Sequence, residues 1–185
     1  AVAQGELVAL DRLRDSLVDF NLRNDLSLRA ELAPGSSFGT TDIVLIAQEP
    51  PRWEATLGVD NAGTESVGEE RVALNVVARS LSGYRDRLIA AGMFTEGSRT
   101  GSVLFDLPVS RRGTRAGVGF DASEIEIVNG PLAEADVAGT ASTLSLQLTH
   151  PFVARPALRV DGGLVYRAKH SSTDFFDIEI AATDR

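Results

Sequence analysis

The fold is decided by residues 34–63, PGSSFGTTDIVLIAQEPPRWEATLGVDNAG, which separate two different kinds of sequence. This stretch holds a Pro-Gly turn, a short apolar run, and a Pro-Pro pair at 50–51 that cannot donate backbone hydrogen bonds and therefore ends a strand. From Trp53 onward apolar and polar residues alternate, as in a half-buried strand. We therefore predict a domain boundary here, with one domain over residues 1–51 and a second over residues 52–185.

The composition excludes several classes of function. The chain has 185 residues, of which 43% are apolar and 24% charged, as is typical of globular domains. Its net charge of −8 argues against a nucleic-acid-binding protein, which usually carries a basic face. It has no cysteine, which excludes disulfides and thiolate metal sites. No run approaches the roughly 18 apolar residues of a transmembrane helix, although transmembrane strands need only about 9–11 alternating residues.

The first domain combines one helix with two strands. Residues 7–20 have the apolar spacing of an amphipathic helix, which we predict to end within residues 21–25. Residues 26–32 alternate like a half-buried strand, and the apolar run at 42–47 is typical of a more central strand. About 50 residues alone are marginally stable. Because the chain also begins without a methionine, we expect a preceding segment to complete this domain. The apolar positions of the helix are Leu7, Leu10, Leu13, Leu17 and Phe20.

The second domain is predicted to be an antiparallel up-and-down β meander. From Trp53 we predict about seven strands of period two, joined by turns rich in glycine and polar residues, one of which contains Pro151 and Pro156. A soluble sandwich or a lipocalin-like barrel shares this pattern. Strands longer than the usual length of about five or six residues, each with an apolar and a polar face, favour part of a transmembrane β-barrel with a wet lumen. The candidate lumen-facing residues are Arg71, Asn75, Arg79, Arg87, Asp121, Arg159, Asp161 and Arg167.

The sequence carries no recognisable catalytic or metal-binding motif, and we predict no enzyme, no cofactor and no metal site. The two histidines, His150 and His170, are far apart and lack metal-ligand spacing. There is no G-x-S-x-G elbow and no P-loop. Residues 117–122, GVGFDA, resemble a dinucleotide fingerprint only superficially, because no helix follows them. Glycines that thin one face of a sheet explain this segment better.

Several short motifs follow one another along most of the chain. They are P-G at 34–35, G-T-T-D at 39–42, E-P-P at 49–51, D-N-x-G at 60–63, G-Y-R-D-x-L at 83–88, L-P-V at 107–109, and H-P-F with a following arginine at 150–155. In this order and spacing they resemble the outer-membrane transporters of two-partner secretion, the hemolysin secretion/activation proteins of Gram-negative bacteria. Tyr84 and His150 depart from that pattern, where a glycine and a tyrosine are usual.

The resemblance implies a fold and a function. Residues up to 51 would form most of a periplasmic POTRA domain lacking its first strand, and residues from 52 onward the first strands of a β-barrel in the cell outer membrane. Such transporters export a large partner protein, an adhesin or cytolysin, through the barrel without ATP. The expected partners are the unfolded secreted protein, bound through its secretion signal, and outer-membrane lipid, with no nucleic acid.

The resemblance also implies a capture site in the first domain. An unfolded peptide can add a strand to an exposed sheet edge, and the strand at 26–32 is the expected edge. Two alternatives remain open at this point: a barrel-assembly factor of the same superfamily, and a soluble β-rich binding or adhesin module. The candidate partner-binding residues are Leu26, Ser27, Leu28, Arg29, Ala30 and Glu31.

Overall fold

The computed structural model describes residues 9–131, 133–135, 137–175 and 178–184. Within these residues one α-helix precedes ten strands, with single turns of 3-10 helix at Glu65–Val67 and Ala133–Ala135. The prediction of a mostly β chain, with a small α+β module followed by an antiparallel up-and-down meander, is confirmed. The elements are α1 (Leu10–Arg23), β1 (Ser27–Pro34), β2 (Thr41–Gln48), β3 (Trp53–Asp60), β4 (Arg71–Arg79), β5 (Arg87–Phe94), β6 (Ser98–Pro108), β7 (Arg115–Glu126), β8 (Ala138–Arg155), β9 (Leu158–Phe175) and β10 (Ile178–Asp184).

The N-terminal module consists of α1 and a two-stranded antiparallel sheet formed by β1 and β2. The helix ends at Arg23, inside the segment predicted to end it, and Asn24 follows as its C-cap. The predicted helical position Leu7 lies outside the described residues. β2 was expected to be a central strand, but in the described part of the chain it pairs only with β1. Both strands of this small sheet are therefore edge strands there.

Strands β3 to β10 form an eight-stranded antiparallel sheet in which each strand pairs with its neighbours in sequence. The sequence predicts about seven strands; the described residues contain one more because the closing segment forms β10. β8 and β9 are 18 residues long each. The prediction that Pro151 lies in a turn is wrong, since β8 continues through it to Arg155. A register shift between Pro151 and Val153 accommodates the proline in the strand.

The register of this sheet sorts its side chains onto two faces. Directly opposite residues of an antiparallel pair lie on the same face, so a row can be followed from strand to strand. One row, on what we call the apolar face, contains Trp53, Ala78, Leu88, Phe105, Val118, Leu146 and Tyr166. A row on the opposite side, which we call the polar face, contains Thr56, Asn75, Ala91, Ser102, Asp121, Thr143 and Lys169.

Little of the apolar face is covered by protein. Leu57 and Val59 on β3 are 68% and 73% exposed, and Leu164 and Tyr166 on β9 are 75% and 69% exposed. A contiguous uncovered apolar surface of this kind marks contact with a membrane or with another protein. Among the described residues, no helix has the length and apolar character needed to cross a membrane.

The two ends of the large sheet differ in their connections. At one end, which we call the module end, the β4–β5 and β6–β7 turns and the parts of β8 and β9 that flank their turn lie beside the C-terminal end of α1. The opposite end, the loop end, carries the long β3–β4 and β7–β8 connections. Backbone hydrogen bonds join these loops to each other and to the β5–β6 turn: the Val128 N–H donates to Ser66 O at 2.9 Å, and the Gly97 N–H of the β5–β6 turn donates to Val67 O at 2.8 Å. The loop end is therefore a connected layer built from main-chain contacts.

Candidate functional site

The eight predicted lumen-facing residues all lie on the polar face of the large sheet. Each occupies a strand position whose register partners belong to that face. That this face lines a lumen stays a prediction. The residues are Arg71, Asn75 and Arg79 on β4, Arg87 on β5, Asp121 on β7, and Arg159, Asp161 and Arg167 on β9.

Several charged side chains of the polar face pair with one another. The pairs are partly exposed to solvent, so they stabilise the fold little. Their effect is to present a hydrogen-bonded surface in which opposite charges are neighbours. The pairs are Arg71 with Asp60 at 2.8 Å, Arg79 with Glu54 at 2.9 Å, and Arg159 with Asp161 at 2.7 Å.

Asp106 is a buried carboxylate on the polar face, with only 2% of its surface exposed. It accepts hydrogen bonds from two arginines, Arg87 Nη2 at 2.7 Å and Arg115 Nε at 2.6 Å. Gly117 lies opposite it, and a Cβ on that glycine would come within 2.9 Å of the Asp106 Cβ. The absence of a side chain at Gly117 therefore leaves room for Asp106 and its two arginines, which we call the Asp106 cluster. Because two guanidinium groups share one carboxylate, the cluster leaves one net positive charge on this face.

Sequence reasoning missed Asp106 and Arg115 as site residues. The alternation of apolar and polar residues assigns a residue to one face of its strand, but it does not show which residue of the neighbouring strand lies beside it. The tight polar turn between β6 and β7 carried the missing signal, because the length of a hairpin turn sets the register of its two strands. That register pairs Asp106 with Gly117, two positions beyond Arg115.

The β4–β5 turn, at the module end, is held by hydrogen bonds to a buried carboxylate. Asp86 is 1% exposed, and its carboxylate accepts hydrogen bonds from the backbone N–H groups of Leu81 at 3.1 Å and Ser82 at 3.0 Å. A hydrogen bond from the Ser82 hydroxyl, followed by these backbone bonds, holds the pKa of Asp86 below its ordinary value. Ser80 and Arg85 adopt left-handed φ angles of 55° and 60° in this turn. Residues other than glycine rarely adopt that backbone conformation unless neighbouring contacts hold it.

Arg85 connects this turn to the N-terminal module. Its Nη1 donates a hydrogen bond to Asn24 Oδ1 at 3.0 Å, and its guanidinium also pairs with the Asp25 carboxylate. The same guanidinium lies 6.0 Å from the centre of the Phe20 ring. One side chain of the sheet thus contacts both the end of α1 and the segment that leads into β1.

Two further arginines complete the junction. Arg159 Nη1 donates to the Leu22 carbonyl oxygen at 3.2 Å, and Arg23 Nη1 donates to the Pro151 carbonyl oxygen at 3.3 Å. Cations are favourable near the C-terminal end of a helix, where carbonyl groups lack intrahelical partners. Arg159 was predicted as a lumen-facing residue; the structure also gives it this contact with the module, which the sequence did not predict.

The predicted capture strand forms β1, with Leu26 directly before it. Ser27, Arg29 and Glu31 are exposed, whereas Leu28 and Ala30 are half-buried. β1 pairs only with β2 among the described residues, so its other edge has no neighbouring strand there. The six candidate residues therefore lie together along one strand edge. Their role in binding a partner stays a prediction.

The two histidines do not share a site in the structure. His150 Nδ1 lies 2.8 Å from Thr114 Oγ1, and the His150 ring meets the Phe152 ring edge-on at 5.0 Å between centroids. His170 instead contacts the Asp184 carboxylate. In the part of the chain that the structure describes, no group of three or more His, Cys, Asp or Glu side chains is arranged to hold a metal ion.

At the level of structure, the chain is similar to two solved proteins. It matches CdiB from Escherichia coli with a TM-score of 0.66 at 17% identity, over 98% of this chain. It matches CdiB from Acinetobacter baumannii with a TM-score of 0.62 at 18% identity, over 97% of this chain. The chain spans 35% of the length of each of these structures, and at such identities the likeness is one of fold.

At the level of sequence, no curated protein gives a significant match. A family profile does match, over residues 39–181, and its description is haemolysin secretion/activation protein ShlB/FhaC/HecB. This match covers more than half of the chain and includes most of the large sheet together with β2. The chain therefore belongs to the haemolysin secretion/activation family ShlB/FhaC/HecB.

Proposed function

We propose that the full-length protein containing this chain is an outer-membrane transporter of two-partner secretion. In this proposal it exports a large unfolded partner, an adhesin or a cytolysin, from the periplasm. Residues 1–51 belong to a periplasmic POTRA-like domain, and residues 52–185 form the first part of a transmembrane β-barrel. The observation that carries the proposal is the pair of continuous faces of the eight-stranded sheet, one apolar and uncovered and the other polar.

The apolar face supports contact with membrane lipid. Along β3 its positions run from Trp53 to Val59, which is about 20 Å at roughly 3.3 Å per residue. Outer-membrane barrels carry an apolar band about 25 Å tall, flanked by aromatic residues at both interfaces. Trp53 stands at the module end of this band and is 60% exposed. Lipid is therefore a suitable neighbour for a surface that would aggregate in water.

The polar face supports a passage for an unfolded chain. Its central row consists mainly of hydroxyl and amide side chains, with Asp121 and Lys169 as the charged members. Such groups both donate and accept hydrogen bonds, so they suit a peptide of any sequence. Passage through a pore requires contacts that are numerous and individually weak. Paired charges and small polar groups meet that requirement better than an apolar lining.

The module supports recognition of the partner before passage. An extended segment can add to the open edge of β1 through main-chain hydrogen bonds, and neighbouring side chains then give selectivity. The exposed Ser27, Arg29 and Glu31 are the side chains placed for that role. Arg85 and Arg159 hold the module at the module end of the sheet. A captured segment would therefore lie close to the polar face.

The membrane placement is tested with a matched pair of substitutions in the full-length protein, produced in Gram-negative cells. Leu57→Arg places a charge on the apolar face and is expected to cost roughly 2–4 kcal/mol of stability in the membrane. Thr56→Arg places the same charge on the polar face of the same strand. We expect the first variant, and not the second, to be depleted from outer-membrane fractions. Equal outer-membrane amounts of the two variants would contradict the proposal.

Two further outcomes would favour the alternative functions. After deletion of the gene, the medium is assayed for the protein that the adjacent gene encodes, and the outer membrane is assayed for its folded proteins. Normal secretion with a general loss of outer-membrane proteins would identify a barrel-assembly factor. Purification of the full-length protein as a monodisperse monomer without detergent would identify a soluble β-rich binding or adhesin module.

A further inference from the structure

The open edge of β1 is not available along its whole length. In an antiparallel pair, alternate residues direct both of their backbone groups toward the partner strand or away from it. The hydrogen bond from the Gly35 N–H to Thr40 O, at 2.9 Å, continues the β1–β2 ladder and fixes this alternation. The odd-numbered residues of β1 therefore bond to β2. Leu28, Ala30 and Leu32 direct their N–H and C=O groups outward.

Asn21, in the last turn of α1, occupies the outward groups of Leu28. Its Oδ1 accepts a hydrogen bond from the Leu28 N–H at 2.7 Å, and its Nδ2 donates one to the Leu28 C=O at 2.9 Å. A carboxamide carries the same donor and acceptor as a peptide group. Asn21 therefore makes on Leu28 the two bonds that a neighbouring strand would make.

We propose that Asn21 caps the edge of β1 and determines where an added strand begins. This inference rests on the proposed capture of the partner by strand addition. With Leu28 occupied, an incoming segment bonds to the outward N–H and C=O groups of Ala30 and Leu32, and to the C=O of Pro34, which has no N–H. The first position open to the partner is therefore Ala30. In this way Asn21 sets the register of the added strand.

A fixed register also determines which partner side chains face which side. A slip of one residue would move every side chain of an added strand to the opposite face. Partner residues beside Ala30 and Leu32 share the face of these apolar side chains, and Leu32 is 52% exposed. A partner residue beside Glu31 lies on the exposed face next to a carboxylate. The edge therefore fits a short extended segment with alternating apolar and polar residues and a basic residue beside Glu31.

Amide hydrogen exchange at single-residue resolution tests the cap in the full-length protein in lipid nanodiscs. After correction for intrinsic rates, we expect the Leu28 amide to exchange about tenfold more slowly than those of Ala30 and Leu32. Asn21→Ala should remove this difference. Asn24→Ala removes a neighbouring asparagine that bonds to Phe20 O and Arg85 instead, and should preserve it. A Leu28 amide that exchanges as fast as that of Ala30 in the unaltered protein overturns the proposal.

A synthetic peptide then tests the register. The probe is a nine-residue peptide of alternating valine and threonine with one central lysine in place of threonine. In the unaltered protein it should slow exchange at Ala30 and Leu32 and leave Leu28 unchanged, whereas in Asn21→Ala its protection should extend to Leu28. Bound peptide that displaces Asn21 and pairs with Leu28 in the unaltered protein overturns the proposed role of Asn21. No protection of Ala30 or Leu32 in either protein contradicts strand addition at this edge, while a slow Leu28 amide still establishes the cap.

Discussion

The guanidinium of Arg159, at the start of β9, donates a hydrogen bond to the carbonyl oxygen of Leu22, in the last turn of α1, across 3.2 Å. The two residues are 137 positions apart in the chain. Arg23 and Arg85 make further hydrogen bonds between the same two parts of the molecule. The module and the large sheet therefore meet at a specific hydrogen-bonded junction, in addition to the short chain segment that connects β2 to β3.

Removing the Arg159 contact is expected to loosen this junction. A hydrogen bond from a charged donor contributes roughly 1.5–3 kcal/mol, less where solvent reaches it, so Arg159→Ala should broaden the range of module positions. Electron-spin distance measurements between labels at Asp15 and Arg112 in the full-length protein would report this broadening. Arg99→Ala, at the loop end of the sheet, is the control and should leave the distribution narrow. An equally narrow distribution in Arg159→Ala would show that the contact does not restrain the module.

Asp106→Asn is expected to destabilise the large sheet. The change leaves the guanidinium groups of Arg87 and Arg115 without the carboxylate they share. Because these two arginines are themselves 41% and 22% exposed, the loss is expected to be about 1–3 kcal/mol. Urea unfolding of the full-length protein from lipid vesicles measures the loss. Asp121→Asn changes an exposed carboxylate on the same face and should alter stability by less than about 0.5 kcal/mol. Equal stabilities for the two variants would contradict the structural role of Asp106.

The hydrogen bonds to Asp86 predict a dependence of stability on pH. They lower the pKa of this carboxyl group below its ordinary value of 3.8. Since the folded-state pKa is the lower one, the stabilisation is fully present above pH 3.8 and is lost as the pH falls through the folded-state pKa. Asp86→Asn should therefore be less stable than the unaltered protein at pH 7, with the difference shrinking at acidic pH. Unfolding midpoints measured from pH 7 down to about pH 2 test this, and a constant difference would contradict it.

Lengthening the connection between the N-terminal module and the large sheet tests whether the module must stay close to that sheet. We expect a flexible glycine–serine insert between Pro50 and Pro51 to reduce export of the partner, because a longer linker lowers the effective concentration of a captured segment at the sheet. Secreted partner in the medium is measured against the amount of transporter in the membrane. The same insert in the long β7–β8 loop, between Asn129 and Gly130, controls for the insertion itself. Unchanged export with the Pro50–Pro51 insert would show that export does not require the module to stay close to the sheet.

The order of elements was predictable because alternation and turn residues are local signals. The strand from Trp53 and the polar positions along β4 follow directly from the period of two. The course of β8 through Pro151 was not predictable in this way, because a proline normally ends a strand and only the bulge after it explains its place. The length of β8 therefore depends on its pairing with β9, which the residues of β8 alone do not show.

The junction and the Asp106 cluster lie beyond local reasoning for a related reason. Arg159 and Leu22 meet only because β8 runs to the module end of the sheet, where β9 begins, and nothing in either segment indicates the other. Asn21 appeared in the sequence as part of a helix-ending segment. Its pairing with the backbone of Leu28 depends on how α1 lies against β1. Contacts of this kind depend on how separate elements pack together, and the residue pattern of one element does not predict that packing.

The layer of loops at the loop end has a consequence for how such a protein changes over time. Its hydrogen bonds join main-chain groups, as between Gly97 and Val67, so they do not depend on the identity of most side chains. One exception is Thr95, whose hydroxyl donates to Val67 O at 2.6 Å. The glycines are others, since a Cβ at Gly97 would lie 2.3 Å from the Glu126 carbonyl oxygen and one at Gly63 would lie 2.2 Å from the Gly68 carbonyl oxygen. Most side chains of this layer can therefore be substituted without removing the backbone hydrogen bonds that hold the loops together.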